Sequence, residues 1–316
     1  MIAKYRHHLP QLDGRLFLTD GGIETTLLFH ERLELPFFAA FHLLRDDKTA
    51  AVVRDYYHRH ASIARNHGVG FVLESPTWRA SSDWGAKLGY TEAALAEANA
   101  RAVAMLHDLR RELETVESPM VISGCVGPRG DGYRPETVMS TAAAEAYHSP
   151  QIDVLAASGV DLVSAVTMTN SAEATGVVRA ARNAGVPAVI SFTVETDGRL
   201  PSGERLGSAI EAVDASTASA TAYFKINCAH PTHFFDEMIA GGEWVKRIRG
   251  LRANASRRSH AELDEATTLD EGDPVDLGAR YRALRERFPH INVLGGCCGT
   301  DHRHIEQICV QCVAAV

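Results

Sequence analysis

Residues 161–194, DLVSAVTMTNSAEATGVVRAARNAGVPAVISFTV, decide how the rest of the chain is read. An apolar run rich in β-branched residues, Asp161 to Thr167, gives way to a helical stretch, Ser171 to Asn183. The punctuation Asn183-Ala184-Gly185-Val186-Pro187 ends that helix, with Gly past the last turn and Pro beyond it. A second apolar run, Ala188 to Val194, follows. Strand, helix and strand in this order form a βαβ unit, whose two strands lie parallel.

The same alternation extends in both directions. Expected strands are Phe17 to Asp20, Phe71 to Ser75, Met120 to Val126, Asp161 to Thr167, Ala188 to Val194, Tyr223 to Cys228, Val245 to Asn254 and Ile291 to Cys297. Expected helices are Thr49 to Asn66, Thr91 to Glu114, Pro135 to Ser158, Ser171 to Asn183, Gly207 to Ser216, Thr232 to Ala240, Asp276 to Phe288 and His302 to Val313. Eight repeats without a break in composition predict an α/β fold in which residues 1–316 make a single (β/α)8 TIM barrel. An open doubly wound sheet is the alternative, but no G-x-G-x-x-G follows the first strand to support its dinucleotide-binding form. The polar segment Ser256 to Pro274, with acidic runs at Glu262 to Glu265 and Asp270 to Asp273, reads as a solvated surface loop, with a lid or an oligomer contact as the other reading.

Apolar residues make up 45% of the 316 and charged residues 23%, enough for a large core. A formal net charge of -8 gives nucleic acid or an anionic membrane no attraction, so the expected partner is a small molecule. MIAKYRHHLP lacks the apolar run of a signal peptide, and nowhere do roughly 18 apolar residues follow one another, which predicts a cytoplasmic protein. In such a compartment six cysteines are not a disulfide framework, and clustered ones point to metal binding or catalysis.

Cys228 closes the sixth expected strand in Lys225-Ile226-Asn227-Cys228. Cys297 and Cys298 close the eighth in Gly295-Gly296-Cys297-Cys298-Gly299-Thr300. In a barrel these carboxyl ends converge on one mouth, where reactive groups sit. Three thiolates give a tetrahedral zinc three protein ligands and leave a fourth position open, the catalytic pattern, and their softness selects zinc over magnesium or calcium. Neighbouring residues on a strand face opposite ways, so both cysteines reach one ion only if the backbone bends. Gly295, Gly296 and Gly299 are expected to permit that bend. The plainer reading is three small buried side chains. Cys309 and Cys312 read as a packed pair on the last helix. Cys125, in Ser123-Gly124-Cys125-Val126-Gly127-Pro128, is placed to line the same mouth, and His230 or His233 could stand in for a cysteine.

On Thr19-Asp20-Gly21-Gly22, Ser123 to Pro128, Asn227-Cys228 and Gly295 to Thr300, the chain resembles the homocysteine S-methyltransferases over nearly its whole length. The resemblance implies a single barrel that transfers a methyl group to homocysteine. Zinc would be bound by Cys228, Cys297 and Cys298, with the homocysteine sulfur as fourth ligand. Zinc would keep a thiol of ordinary pKa near 8.5 ionised at neutral pH, and in-line placement would do the rest, with no side chain needed as general base. A barrel of this length implies a small sulfonium or ammonium donor rather than cobalamin or folate, and leaves the oligomeric state open.

The resemblance also nominates substrate-binding residues. Asp20 falls at the pocket as a partner for the acceptor's amino group, or else caps its turn. Glu24 adds a second acid on the same loop, and Thr77 falls in the segment where relatives carry Thr-Asn-Thr-aromatic. The pattern fails at the fourth strand. Val166 stands where relatives carry the glutamate that holds the homocysteine ammonium. A methyltransferase for a different thiol, or a zinc- or thiol-binding barrel without catalysis, therefore stays open beside homocysteine methylation.

Overall fold

In the computed structural model, which describes residues 2–133, 138–266 and 268–313, the eight strands close into one parallel barrel in sequence order. They are β1 (Phe17–Thr19), β2 (Gly70–Glu74), β3 (Met120–Val126), β4 (Leu162–Met168), β5 (Ala188–Thr193), β6 (Thr221–Asn227), β7 (Ile248–Ala253) and β8 (Val293–Gly296). Closure is made by β8 against β1, with Phe17 opposite Val293. Such strands are buried on both faces, which is why they read as apolar runs rather than as alternation.

Each strand is followed by a helix of the outer ring. These are α1 (Asp47–Asn66), α2 (Glu92–Leu113), α3 (Thr141–Ala157), α4 (Ser171–Asn183), α5 (Leu206–Thr217), α6 (Pro231–Ile239), α7 (Pro274–Arg287) and α8 (His302–Val313). The third helix begins at Thr141, capped by the Ser140 side chain, and the expected start at Pro135 lies outside the described residues. The seventh strand begins at Ile248 because Glu243–Arg247 winds into a short 3-10 turn.

Inward-facing residues recur every second position. At the amino end, Phe17, Val72, Val121, Leu162, Val189, Tyr223 and Val293 pack with Leu9 into an apolar plug. Two residues further along the strands the barrel interior turns polar: Thr19, Glu74, Ser123, Ser164, Ser191 and Lys225 are all buried. Lys225 donates to Glu74 and to the Ser164 hydroxyl, and Arg252 pairs with both Glu74 and Asp20. This ionic layer is the floor on which the mouth is built.

The layer carries a pH signature. Burial alone would raise the Glu74 pKa, but the Lys225 ammonium and Arg252 guanidinium hold it down at about 2, from an ordinary value of 4.5. A depressed carboxylate contributes stability in full above its unfolded value and loses it as pH falls through the folded one. Glu74→Gln is expected to cost about 3–5 kcal/mol at neutral pH, because it strands buried cations. It should also flatten the decline in stability between pH 4.5 and about 2. Denaturant unfolding across that range measures both, and an unchanged midpoint at neutral pH contradicts the assignment.

Candidate active site

The three strand-end cysteines meet. The Sγ atoms of Cys228, Cys297 and Cys298 all lie within 4.8 Å of one another at the carboxyl mouth. Cys228 follows β6 with its backbone in the left-handed region, φ 52°, a conformation that costs a non-glycine residue and turns the chain out of the strand. At β8 the bend comes after the cysteines and not before them, since Gly299 alone of the three expected glycines has a positive φ, 78°. Gly295 and Gly296 stay within β8 for a different reason, close approach. A Cβ there would stand 1.9 Å from Thr19 Oγ1 and 2.1 Å from Thr300 Oγ1.

Asn227 shapes the mouth from below. Its Oδ1 accepts from the Thr167 amide (3.0 Å) and the Ser191 hydroxyl (2.6 Å), while Nδ2 donates to Thr167 Oγ1 (2.9 Å). These bonds hold Thr167 at φ 66°, where the β4–β5 register shifts between Ala165 and Met168. Thr167 Oγ1 then lies 3.9 Å from Cys228 Sγ. From the loop after β3, the Tyr133 hydroxyl donates to Cys228 Sγ at 3.3 Å and lies 3.9 Å from Cys298 Sγ.

Electrostatics set the three thiols against one another. Hydrogen bonds from Cys297 and Cys298, aided by Tyr133 and Asn227, hold the Cys228 thiol well below its ordinary value despite burial. The same bonds push Cys297 up to about 12 and raise Cys298, because each is the proton donor to Cys228. Three sulfurs gathered at one point are suited to a soft cation. Sulfurs at roughly 2.3 Å around a tetrahedral ion lie about 3.8 Å apart, so this donor set fits a metal with little movement.

Above the thiols opens a cavity of about 410 Å³. Asp20 lines it with its carboxylate already committed: Oδ1 lies 3.0 Å from Arg252, and Oδ2 accepts from the Tyr56 hydroxyl at 2.9 Å. Glu24 also lines it and, among the described residues, makes no ion pair; burial above all, with Cys297 and Asp20 adding to it, raises its pKa to about 7. Thr77 sits behind the wall, fully buried, donating to the Cys125 carbonyl at 2.6 Å. Val166 faces the cavity, its carbonyl accepting from the Trp78 indole at 3.2 Å. Cys125 lines the cavity outside the thiol cluster. His230 caps α6 through Thr232, and His233 bonds the Arg257 carbonyl. Cys309 and Cys312 are buried in the outer core.

Ser256 to Pro274 is only in part the solvated loop expected, with Arg257, Arg258, Glu262 and Glu265 exposed. It contains a short helix, His260–Asp264, started by a Ser259–Glu262 capping box. His260, Leu263, Leu269 and Asp270 of this segment line the cavity, and the His260 ring packs at a tilt against Tyr133, 4.3 Å between centroids. Two leucines interspersed among acids were the legible sign that one side of the segment is covered. Sequence reasoning also missed Tyr133, Arg252 and Arg79. A cation inside an apolar strand could have flagged Arg252, but nothing local marks Tyr133.

Fold and site together define a barrel enzyme with a cysteine-lined mouth able to hold a metal. The chain belongs to the homocysteine S-methyltransferase family, whose model matches residues 17–312, and it is a methyltransferase. Among solved structures it is similar to the homocysteine methyltransferase MmuM from Escherichia coli. The metallated form aligns with a TM-score of 0.70 and 17% identity over 96% of this chain and 99% of that one. The oxidized form aligns with a TM-score of 0.73 and 18% identity over 98% and 100%. No curated protein sequence matches the chain. Among the described residues no helix is long and apolar enough to cross a membrane.

If the cluster holds the metal, replacing Cys228, Cys297 or Cys298 by Ser should strip most of it, while Cys309→Ser should leave metal content intact. Elemental analysis of the purified variants reads this directly. Full occupancy in a Cys297→Ser, Cys298→Ser double variant contradicts the site.

Proposed function

We propose that this protein transfers a methyl group from a small sulfonium or ammonium donor to a thiol acceptor, homocysteine being the first candidate, with zinc held by Cys228, Cys297 and Cys298. The observation that carries the reading is the convergence of those three sulfurs on one open cavity. Zinc, when bound, supplies the positive charge that keeps an acceptor thiol ionised at neutral pH. Three free thiols fit a reducing, cytoplasmic setting.

The chain's own residues supply the rest. Tyr133 donates to Cys228 and so fixes the orientation of that sulfur. Leu28, Phe38, Trp78, Leu263 and Leu269 wall the cavity with apolar surface and displace water from it. Attack of a thiolate on an onium methyl cancels two opposite charges, so a dry site favours it relative to bulk water. Positioning of the two reactants in line supplies the remaining rate enhancement.

Recognition of an amino group falls to Glu24. Val166 offers no side-chain acceptor, and the Asp20 carboxylate is shared between Arg252 and Tyr56. Glu24 is the acid of the first loop that makes no ion pair among the described residues, and an ammonium placed beside it would favour its ionised form. Thr77 supports the wall from behind through its bond to the Cys125 carbonyl.

Turnover assays with a panel of onium donors test the reading, comparing homocysteine with 4-mercaptobutyrate, the same skeleton without the amino group. The expected preference for homocysteine is about 10-fold to 100-fold in kcat/KM, the range of one charge-assisted hydrogen bond. Glu24→Gln should erase it. Equal turnover of the two thiols by the unmodified protein contradicts the role of Glu24, and no methyl transfer from any donor contradicts the proposed reaction.

A further inference from the structure

Arg79 follows Trp78 on the loop after β2 and lines the cavity. Its side chain is 6% exposed, yet among the described residues it makes no ion pair. The guanidinium lies between two indoles, 4.0 Å from the Trp78 ring centroid and 3.9 Å from that of Trp84. Nη1 donates to the Gly130 carbonyl at 2.7 Å. Nε is buried and has no hydrogen-bond partner. Guanidinium cannot shed its proton, so a buried one with unused donors needs an anion.

Neighbouring charges do not meet that need. Arg252, which also lines the cavity, is taken up by Asp20 and Glu74, and Lys225 by Glu74. Asp131, Tyr133 and Glu24 act on Arg79 through space. The two indoles fix the plane of the guanidinium, so its fork is oriented before any ligand arrives, and planar bidentate pairing with a carboxylate is what such a fork does best.

We propose that Arg79 is a specificity-determining residue that binds the carboxylate of the substrate, so that this cavity selects a carboxylate-bearing reactant. The assignment rests on the cavity being the methyl-transfer site. The carboxylate belongs either to the acceptor thiol or to the onium donor, and the two sources are separable.

Calorimetry on the metal-loaded protein compares ligands that differ only at that group. In the acceptor arm they are 4-mercaptobutyrate and its primary amide, neither of which carries an amino group for Glu24. In the donor arm they are glycine betaine and its primary amide. In at least one arm the acid should bind about 10-fold to 100-fold more tightly than the amide. Arg79→Gln should bring that ratio to within about threefold. Arg79→Lys, which keeps the charge but loses the fork, should give an intermediate ratio and serves where the glutamine variant does not fold. The arm in which the ratio collapses identifies the carboxylate's owner.

An acid-to-amide ratio near one in both arms for the unmodified protein, or failure to bind either acid, overturns the proposal whatever the variants do. So does a ratio that survives Arg79→Gln while both affinities fall together, the mark of a purely structural arginine. Because binding and not turnover is read, failure of this assignment leaves methyl transfer standing, and failure of methyl transfer leaves the ratio standing.

Discussion

Arg252 is the side chain on which the geometry of the mouth depends. From β7 it reaches Glu74 on β2 and Asp20 after β1, donates through Nε to the Gly296 carbonyl at 3.0 Å and through Nη2 to the Gly21 carbonyl at 3.0 Å. One guanidinium thereby ties together the ends of β1, β2, β7 and β8, and the last of these delivers Cys297 and Cys298. Burying a charge is unfavourable unless its donors are matched, and here matched donors convert that cost into a fixed register at the point where two thiols must be aimed. Tyr281 completes the clamp, donating to the Gly295 carbonyl at 2.6 Å.

Above this floor the site is assembled from strain and close approach more than from side-chain length. Cys228 and Thr167 both hold left-handed backbone, and Asn227 supplies the bonds that compensate at Thr167. Gly22 lets the first loop pass against β8, since a Cβ there would come within 2.5 Å of the Cys297 carbonyl oxygen. The asparagine beside Cys228 and the glycines beside Cys297 are thus structural means to a chemical end. They set where the sulfurs point.

Much of this is legible in the sequence. Strand positions follow from apolar runs because both faces of a parallel barrel strand are buried, and the thiols follow from strand ends because a barrel gathers all its carboxyl ends at one mouth. Boundaries slipped where apolar residues continue past the hydrogen-bonded ladder, as at Val245 before β7 and Ile291 before β8. The role of Gly295 and Gly296 is not legible for a physical reason: the sequence shows that a Cβ is missing, but not whether its absence relieves torsion or makes room for Thr19 and Thr300. Residues that meet only in three dimensions stayed hidden. Tyr133 lies far along the chain from Cys228, and the closure of the Trp78 and Trp84 indoles on Arg79 depends on how the loop after β2 packs against the short helix Ser82–Lys87.

In the proposed site Cys228, Cys297 and Cys298 together hold one zinc and leave a position for the acceptor sulfur. X-ray absorption at the zinc edge counts those sulfurs without reference to turnover. Three sulfurs at about 2.3 Å are expected in the resting protein, rising to four when homocysteine is added. Fewer than three sulfurs at rest, or a shell that homocysteine leaves unchanged, would contradict the proposed site.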